Sequence, residues 1–255
     1  QTGQTHSCHH PSTHSIYTEE LSEDPSALHN TGRKVDFRRE LLRGEQSQDC
    51  NYCWKMEALG KESDRIHKSN EPWAAPYFEE ARDNLRVNPS YLEISFDSTC
   101  NLKCAYCGPA LSTKWQSEVN QWGAYPNGYQ NPEFLKSIGR WPQLNREHNP
   151  YKEAFWQWWP DLYPDLSVFR ITGGEPLLSK DTWRVFDWIL DNPRTDLTVS
   201  VNTNLCVSQS LIQQLLDYGR KMQNKVQSFQ IFTSGEAWGA QCEYIRYPMN
   251  FNEFW

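Results

Sequence analysis

An α/β fold built on a parallel sheet is predicted by three features of the chain. Short apolar runs at 91–96, 168–172, 197–201 and 226–232 have the length of buried strands. Stretches with apolar residues at helical spacing separate the later runs. Alternation of strand and helix places successive strands parallel in one sheet. Residues 1–70 share none of this pattern, being polar and rich in Ser, His and Glu, which marks a separate small irregular domain.

In chain order, the first domain carries a helical stretch at 35–43, and Gly44 supplies its stop. Cys50 and Cys53 follow directly. Residues 71–89 read as a connector with a short amphipathic helix at 77–85 between Pro76 and Pro89. The sheet domain then occupies 90–255. Its helices are expected at 181–190, with Trp183, Phe186, Trp188, Ile189 and Leu190 apolar, and at 208–222, with Leu211, Ile212, Leu215 and Leu216 at helical spacing. The stretch 111–163 is too long and too interrupted for a simple crossover and reads as an elaborated insertion. Within it, Phe155, Trp156, Trp158 and Trp159 form the densest aromatic patch, read as packing against the sheet domain rather than as a substrate groove.

The 255 residues contain 25 Lys plus Arg against 32 Asp plus Glu, a formal charge of −7, with a pI near 5.5. That balance argues against nucleic acid as a partner, because an extended basic surface is missing. No apolar window has the roughly 18 to 20 residues that span a bilayer, and no apolar segment opens the chain as a secretory signal would. These observations place the protein in the cytoplasm, where thiols stay reduced. Its eight cysteines are therefore read as metal ligands or reactive groups before disulfides. The chain opens on Gln1, so its natural start is expected upstream.

The cysteine spacing narrows the chemistry. Cys100, Cys104 and Cys107 stand as Cys-x3-Cys-x2-Cys just after the first expected strand. Structural zinc usually takes four closed ligands, whereas three thiolates on a cubane iron–sulfur cluster leave one iron open. Thiolates suit either metal, and free cysteines also serve simply as core. The second feature is Gly173-Gly174-Glu175, after the second strand, where two glycines allow close backbone approach and a carboxylate can accept from an ammonium group. In this order, with Tyr106 preceding the third cysteine, the loop and the turn resemble the signature of the radical S-adenosylmethionine enzymes.

The resemblance implies a [4Fe-4S] cluster on Cys100, Cys104 and Cys107, with S-adenosylmethionine chelated at its open iron. A reducing electron donor then cleaves the sulfonium to a 5′-deoxyadenosyl radical that abstracts hydrogen. It also implies that Gly173, Gly174 and Glu175 face the methionine amino group and that Tyr106 sits beside the adenine. The third- and fourth-strand ends would complete the cofactor site through Asn202, Asn204, Ser234 and Glu236, and Arg246 in Tyr244-Ile-Arg246 would meet the methionine carboxylate. Asn after a strand is equally a turn former. Cys206 and Cys242 are read as buried free thiols.

Gly3-x4-Cys8 with the distant Cys50-x2-Cys53 resembles the twitch module, a half-SPASM domain of radical S-adenosylmethionine maturases, here placed amino-terminally. It implies an auxiliary iron–sulfur cluster, although the spacing alone equally suits zinc. The module's further cysteine would lie upstream of Gln1. Either the chain starts short of it, the favoured reading, or His9 or His10 completes the site. The resemblance further implies a partial (β/α) barrel of about six strand–helix units, of which four are evident, so the radical domain is expected to be incomplete at its carboxyl end. The expected activity is radical modification of a peptide, protein or other biopolymer, against the alternatives of a non-catalytic structural zinc module and a protein that only passes electrons.

Overall fold

The computed structural model describes residues 3–72, 74–125, 131–141 and 148–255. Two compact units divide the chain, one formed by Gly3–Ser90 with Glu147–Leu166 and the other by Tyr91–Arg146 with Ser167–Trp255.

The second unit is built on a parallel sheet of four strands, β1 Tyr91–Ser95, β2 Val168–Thr172, β3 Arg194–Thr203 and β4 Val226–Thr233, in the order β1-β2-β3-β4. Each strand lies beside its predecessor, the order of a barrel wall, and the unit is consistent with a partial barrel of the expected type. The register sets Ile171 against Ile94 on one side and Val201 on the other, and Val201 in turn pairs with Ile231. β3 is longer than the apolar run 197–201 suggested. Its front end, Arg194-Thr195-Asp196, is polar and closed by an Arg194–Asp196 ion pair of 2.6 Å, so apolarity could not reveal it.

Alternation along the strands separates two faces. Phe169, Ile171, Leu197, Val199 and Val201 are buried on one, where burial contributes roughly 1.5–3 kcal/mol per large side chain. The helices Lys180–Asp191 and Gln209–Lys221 belong to this face, since Phe186 meets Phe229 edge-on at 5.5 Å and Tyr218 of the second helix meets Phe186 at 5.6 Å. The opposite face is polar. Arg170 Nε donates to Asn202 Oδ1 at 2.9 Å and lies 3.7 Å from Glu93, and Ser200 donates to Gln230 at 3.3 Å.

In the first unit, the helix Gly32–Leu42 begins earlier than expected because Thr31 caps it, accepting from the Lys34 N–H at 3.3 Å. Gly44, at φ +76°, supplies the expected stop. The helix over the connector is Ala75–Asp83, shifted towards its start because Pro76 occupies the first turn. The aromatic patch lies on the helix Pro150–Leu162, whose Phe155, Trp158 and Trp159 are buried. That helix belongs to this first unit. Trp158 donates to Asn88 Oδ1 at 3.0 Å, and Ala154 packs with Ile16, Leu21 and Ala27. Parts of the expected insertion, 126–130 and 142–147, fall outside the described residues.

Candidate active site

The loop after β1 folds back on itself through its own side chains. Thr113 Oγ1 accepts from the Cys100 N–H and donates to the Cys100 carbonyl, both at 3.1 Å. Ser112 Oγ donates to the Leu102 carbonyl at 2.6 Å, and Trp115 Nε1 donates to the Cys104 carbonyl at 2.9 Å. From the carboxyl-terminal side, the Tyr247 and Ile245 carbonyls accept the Lys103 and Ala105 N–H groups, each at 2.7 Å. This bracing gathers the thiols. Cys100, Cys104 and Cys107 pack in one apolar cluster with Leu102, Cys242, Met249 and Phe251.

Burial raises all three thiols above the ordinary range, Cys107 to about 11. Two donors aim at the Cys100 sulfur, the Leu102 N–H at 3.4 Å and Asn204 Nδ2 at 3.9 Å. The Arg246 guanidinium pulls Cys104 and Cys107 back down. A trio of convergent soft donors next to a cation, with amide donors to sulfur, fits a cluster that needs thiolates and tolerates net negative charge.

The Gly-Gly-Glu turn is packed onto this loop. A Cβ on Gly174 would stand 2.4 Å from the Thr99 carbonyl oxygen, and one on Gly173, at φ +126°, 2.8 Å from the Asp97 carbonyl oxygen. The glycines are required because backbone meets backbone, with the Gly174 N–H on the Asp97 carbonyl at 3.1 Å and the Glu175 N–H on the Thr99 carbonyl at 2.6 Å. The backbone they approach is the segment leading to Cys100.

Glu175 is 1% exposed. Its carboxylate accepts from Thr203 Oγ1 and the Asn204 N–H, each at 2.7 Å, and from the Leu177 N–H at 3.0 Å. Burial raises its pKa against the pull of these donors. The carboxylate expected to face an ammonium group is thus engaged in joining strand ends, and a ligand there would meet a side chain already holding three donors.

Asn202 lies inside β3 rather than after it, and its Oδ1 takes the Arg170 guanidinium on the polar face of the sheet. Asn204 does follow the strand. Its Nδ2 reaches Asn101 Oδ1 at 3.1 Å, and its Oδ1 accepts from the Cys206 N–H at 2.7 Å, so it acts as turn former and sulfur donor together. Ser234 is exposed immediately beyond β4.

Tyr106 is 62% exposed and donates to Glu236 Oε1 at 2.8 Å. Arg246, 4% exposed, donates from Nε to Glu236 Oε2 at 2.7 Å. The cation expected to meet a ligand carboxylate therefore has a protein carboxylate as its partner. Cys206 is half-buried beside the trio, its thiol donating to the Asn204 carbonyl at 3.2 Å and pushed up to about 11 by burial; Cys242 is fully buried, its thiol donating to Met249. Thr203 and the Ser112–Thr113 pair stand in no motif, and Asn101 is one of the unspecified positions between Cys100 and Cys104, so the sequence marks none of them.

In the first unit, Cys50 and Cys53 are buried and Cys8 is exposed. The three lie close enough that Cys53 and Cys8 reinforce the rise of the Cys50 thiol, which burial dominates and which reaches about 11.

A GTP 3',8-cyclase of Nautilia profundicola is 28% identical over 142 residues, 56% of this chain and 36% of that protein. One from Campylobacter jejuni subsp. doylei is 27% identical over 135 residues, 53% of this chain and 33% of the relative. A molybdenum cofactor biosynthesis protein of Caenorhabditis elegans is 26% identical over 166 residues, 65% of this chain and 22% of the relative. The matched stretch thus spans about a third or less of the length of these curated relatives. No family model matches, and no solved structure matches. Together with the cysteine loop and the turn packed on it, these similarities support placing the chain in the radical S-adenosylmethionine superfamily.

Proposed function

We propose that the chain belongs to a radical S-adenosylmethionine enzyme, with Cys100, Cys104 and Cys107 as ligands of a [4Fe-4S] cluster. The observation that carries this reading is the docking of the Gly-Gly-Glu turn onto the backbone that leads into the cysteine loop, at 3.1 and 2.6 Å. Two motifs 66 residues or more apart in the chain meet there as one object. A bound cluster and S-adenosylmethionine would supply one-electron cleavage of the sulfonium and a 5′-deoxyadenosyl radical. The protein's part is to hold three thiolates, orient the ligand at the ends of β2 to β4 and keep water away.

Gly173, Gly174, Asn202, Asn204, Ser234 and Tyr106 stand at or near those strand ends as candidate contacts, with Arg246 as the cation for the methionine carboxylate once Glu236 releases it. Residues 1–70 are read as a twitch-like auxiliary cluster module using Cys8, Cys50 and Cys53, and 90–255 as the radical domain. The substrate proposed is a peptide, protein or other biopolymer in the cytoplasm. A nucleotide substrate is the second reading, favoured by the relatives named as GTP 3',8-cyclases.

Anaerobic reconstitution with iron and sulfide, followed by dithionite and S-adenosylmethionine, should give 5′-deoxyadenosine. Replacing Cys100, Cys104 and Cys107 by Ala should abolish it. One tightly held zinc ion with no cleavage would favour the structural zinc module instead. GTP added to the same assay separates the substrate readings, since it should leave the yield unchanged if the biopolymer reading holds.

A further inference from the structure

Two imidazoles of the amino-terminal unit converge on a carboxylate that the site above does not use. His10 Nε2 lies 2.6 Å from Asp64 Oδ2, and His9 Nε2 lies 3.3 Å from the same oxygen. The two rings rest against each other, with centroids 4.1 Å apart and planes tilted by 41°. One donor atom from each of the three residues falls within 4.8 Å of the other two. His10 also stacks on Tyr52 of the helix Asn51–Ala58, centroids 4.1 Å apart and planes 20° from parallel, and its side chain is 15% exposed. The open member of the group is His9, at 72% exposed.

Asp64 is fixed from its own side. It opens the helix Asp64–Ser69, which Ser63 caps by accepting from the Ile66 N–H at 3.3 Å. The neighbouring guanidinium is committed elsewhere, since Arg65 donates to Glu57 at 2.6 and 3.1 Å and lies 4.2 Å over the Trp54 ring. Among the described residues, the ion pairs of Asp64 are with His9 and His10 alone. The His10 hydrogen bond holds its carboxyl below the ordinary range. Two imidazoles and one carboxylate are a donor set of zinc sites that leave a corner to water. Tetrahedral zinc bonds place donors roughly 3.3 Å apart, so the group has to close by about 1.5 Å at most, which an exposed side chain such as His9 can supply. Imidazole nitrogen selects zinc and the neighbouring late transition metals, whereas calcium and magnesium need more oxygen ligands than one carboxylate gives.

We propose that His9 Nε2, His10 Nε2 and the Asp64 carboxylate form a binding site for a divalent transition-metal ion of the zinc class, with water in the remaining position. The ion ties the segment that carries Cys8 to a helix 54 residues further on. It uses no thiol, so it is separate from the cysteine-held zinc weighed above, and it stands whether or not Cys8, Cys50 and Cys53 carry a cluster. Because the unfolded chain does not bring the three groups together, binding adds to the stability of the folded unit.

The test uses the full chain, reduced and free of iron, labelled with 15N-histidine and titrated with zinc against a competing chelator. Asp64→Asn keeps the shape of the side chain and removes its charge, while His9→Gln and His10→Gln each remove one imidazole. The native chain should hold one zinc ion more than each variant, or hold that ion about tenfold or more tightly. Zinc should move two histidine ring resonances, the ones missing in His9→Gln and His10→Gln. His67→Gln alters the imidazole that pairs with Glu62 at 3.3 Å and should bind zinc as the native chain does; matching circular dichroism across the set separates lost ligation from lost folding. Equal zinc count and affinity in the native chain and Asp64→Asn, or zinc that moves no ring resonance of His9 or His10, would overturn the proposal. Loss of the His10 shift on Cys8→Ser would also overturn it, by assigning that imidazole to a mixed cysteine site.

Discussion

The carboxylate of Glu175 joins the end of β2 to the end of β3 by accepting the main-chain N–H of Asn204 at 2.7 Å. Thr203 Oγ1 and the Leu177 N–H complete its set, so a single buried anion fixes both the turn that docks on the cysteine loop and the residue that donates to the Cys100 sulfur. Removing it strands several buried donors, each costing about 1–3 kcal/mol. Glu175→Ala should therefore lose roughly 3 kcal/mol or more in urea unfolding and take up less iron. Glu175→Gln, which can still accept from Thr203 and Leu177 but turns an NH2 towards the Asn204 N–H, should fall between that variant and the native protein.

Gly174 tests the docking itself. A methyl group there meets the Thr99 carbonyl at 2.4 Å and the Ser98 carbonyl carbon at 2.7 Å, and backbone on both sides cannot yield without moving the loop. Gly174→Ala should destabilise the unit and reduce iron bound on Cys100, Cys104 and Cys107. At Gly235 a Cβ meets nothing within 4 Å, so Gly235→Ala serves as the control and should bind iron as the native chain does.

The sequence carried much of this architecture because the strands that matter are apolar where they are buried. Val168–Thr172 was legible to the residue. The front of β3 was not, since Arg194 joins the strand by pairing with Val226 of β4 and a register shift follows before Thr198, while the Arg194 and Asp196 side chains pair with each other. The placement of Pro150–Leu162 with the amino-terminal unit depends on partners such as Asn88 and Trp158, 70 residues apart, and no local pattern announces it. In the site, cysteine spacing made the thiols visible. The use of Glu175 as a brace was hidden, because Thr203 and Asn204 lie 28 and 29 residues further on and look like an ordinary strand end.

Lys34 gives the amino-terminal unit a distinct pH response. Its ammonium is buried, donates to Thr5 Oγ1 at 2.7 Å and is pushed down from 10.5 to about 7, by burial first and then by Arg38. A depressed lysine is deprotonated more easily in the folded state than in the unfolded one. Between about 7 and 10.5 the unfolded chain binds the extra proton, so stability rises with pH across that window and is flat below it for this group. Lys34→Met should remove the slope and raise stability at pH 7, by an amount on the order of a few kcal/mol. Thermal unfolding at pH 6.5, 8 and 9.5 reads it directly, and an unchanged slope in the variant would assign the effect elsewhere.

Arg246, Glu236 and Tyr106 form a chain in which one carboxylate takes a guanidinium at 2.7 Å and a phenol at 2.8 Å. If Arg246 meets the methionine carboxylate of S-adenosylmethionine, Glu236 is its competitor, and ligand binding must exchange one carboxylate partner for another. Glu236→Gln keeps a hydrogen-bond acceptor for Tyr106 but removes the competing charge, so it should tighten S-adenosylmethionine binding to the reconstituted protein. Arg246→Met should weaken it about tenfold or more, the equivalent of losing about 1.4 kcal/mol of charge-assisted bonding. Tyr106→Phe frees Glu236 from one donor without altering charge, and its effect on binding should be small. Calorimetric titration of the three variants separates the roles. Weaker binding in Glu236→Gln would make that carboxylate a contact of the ligand rather than its rival, and would leave Arg246 as the cation that holds Glu236 in place.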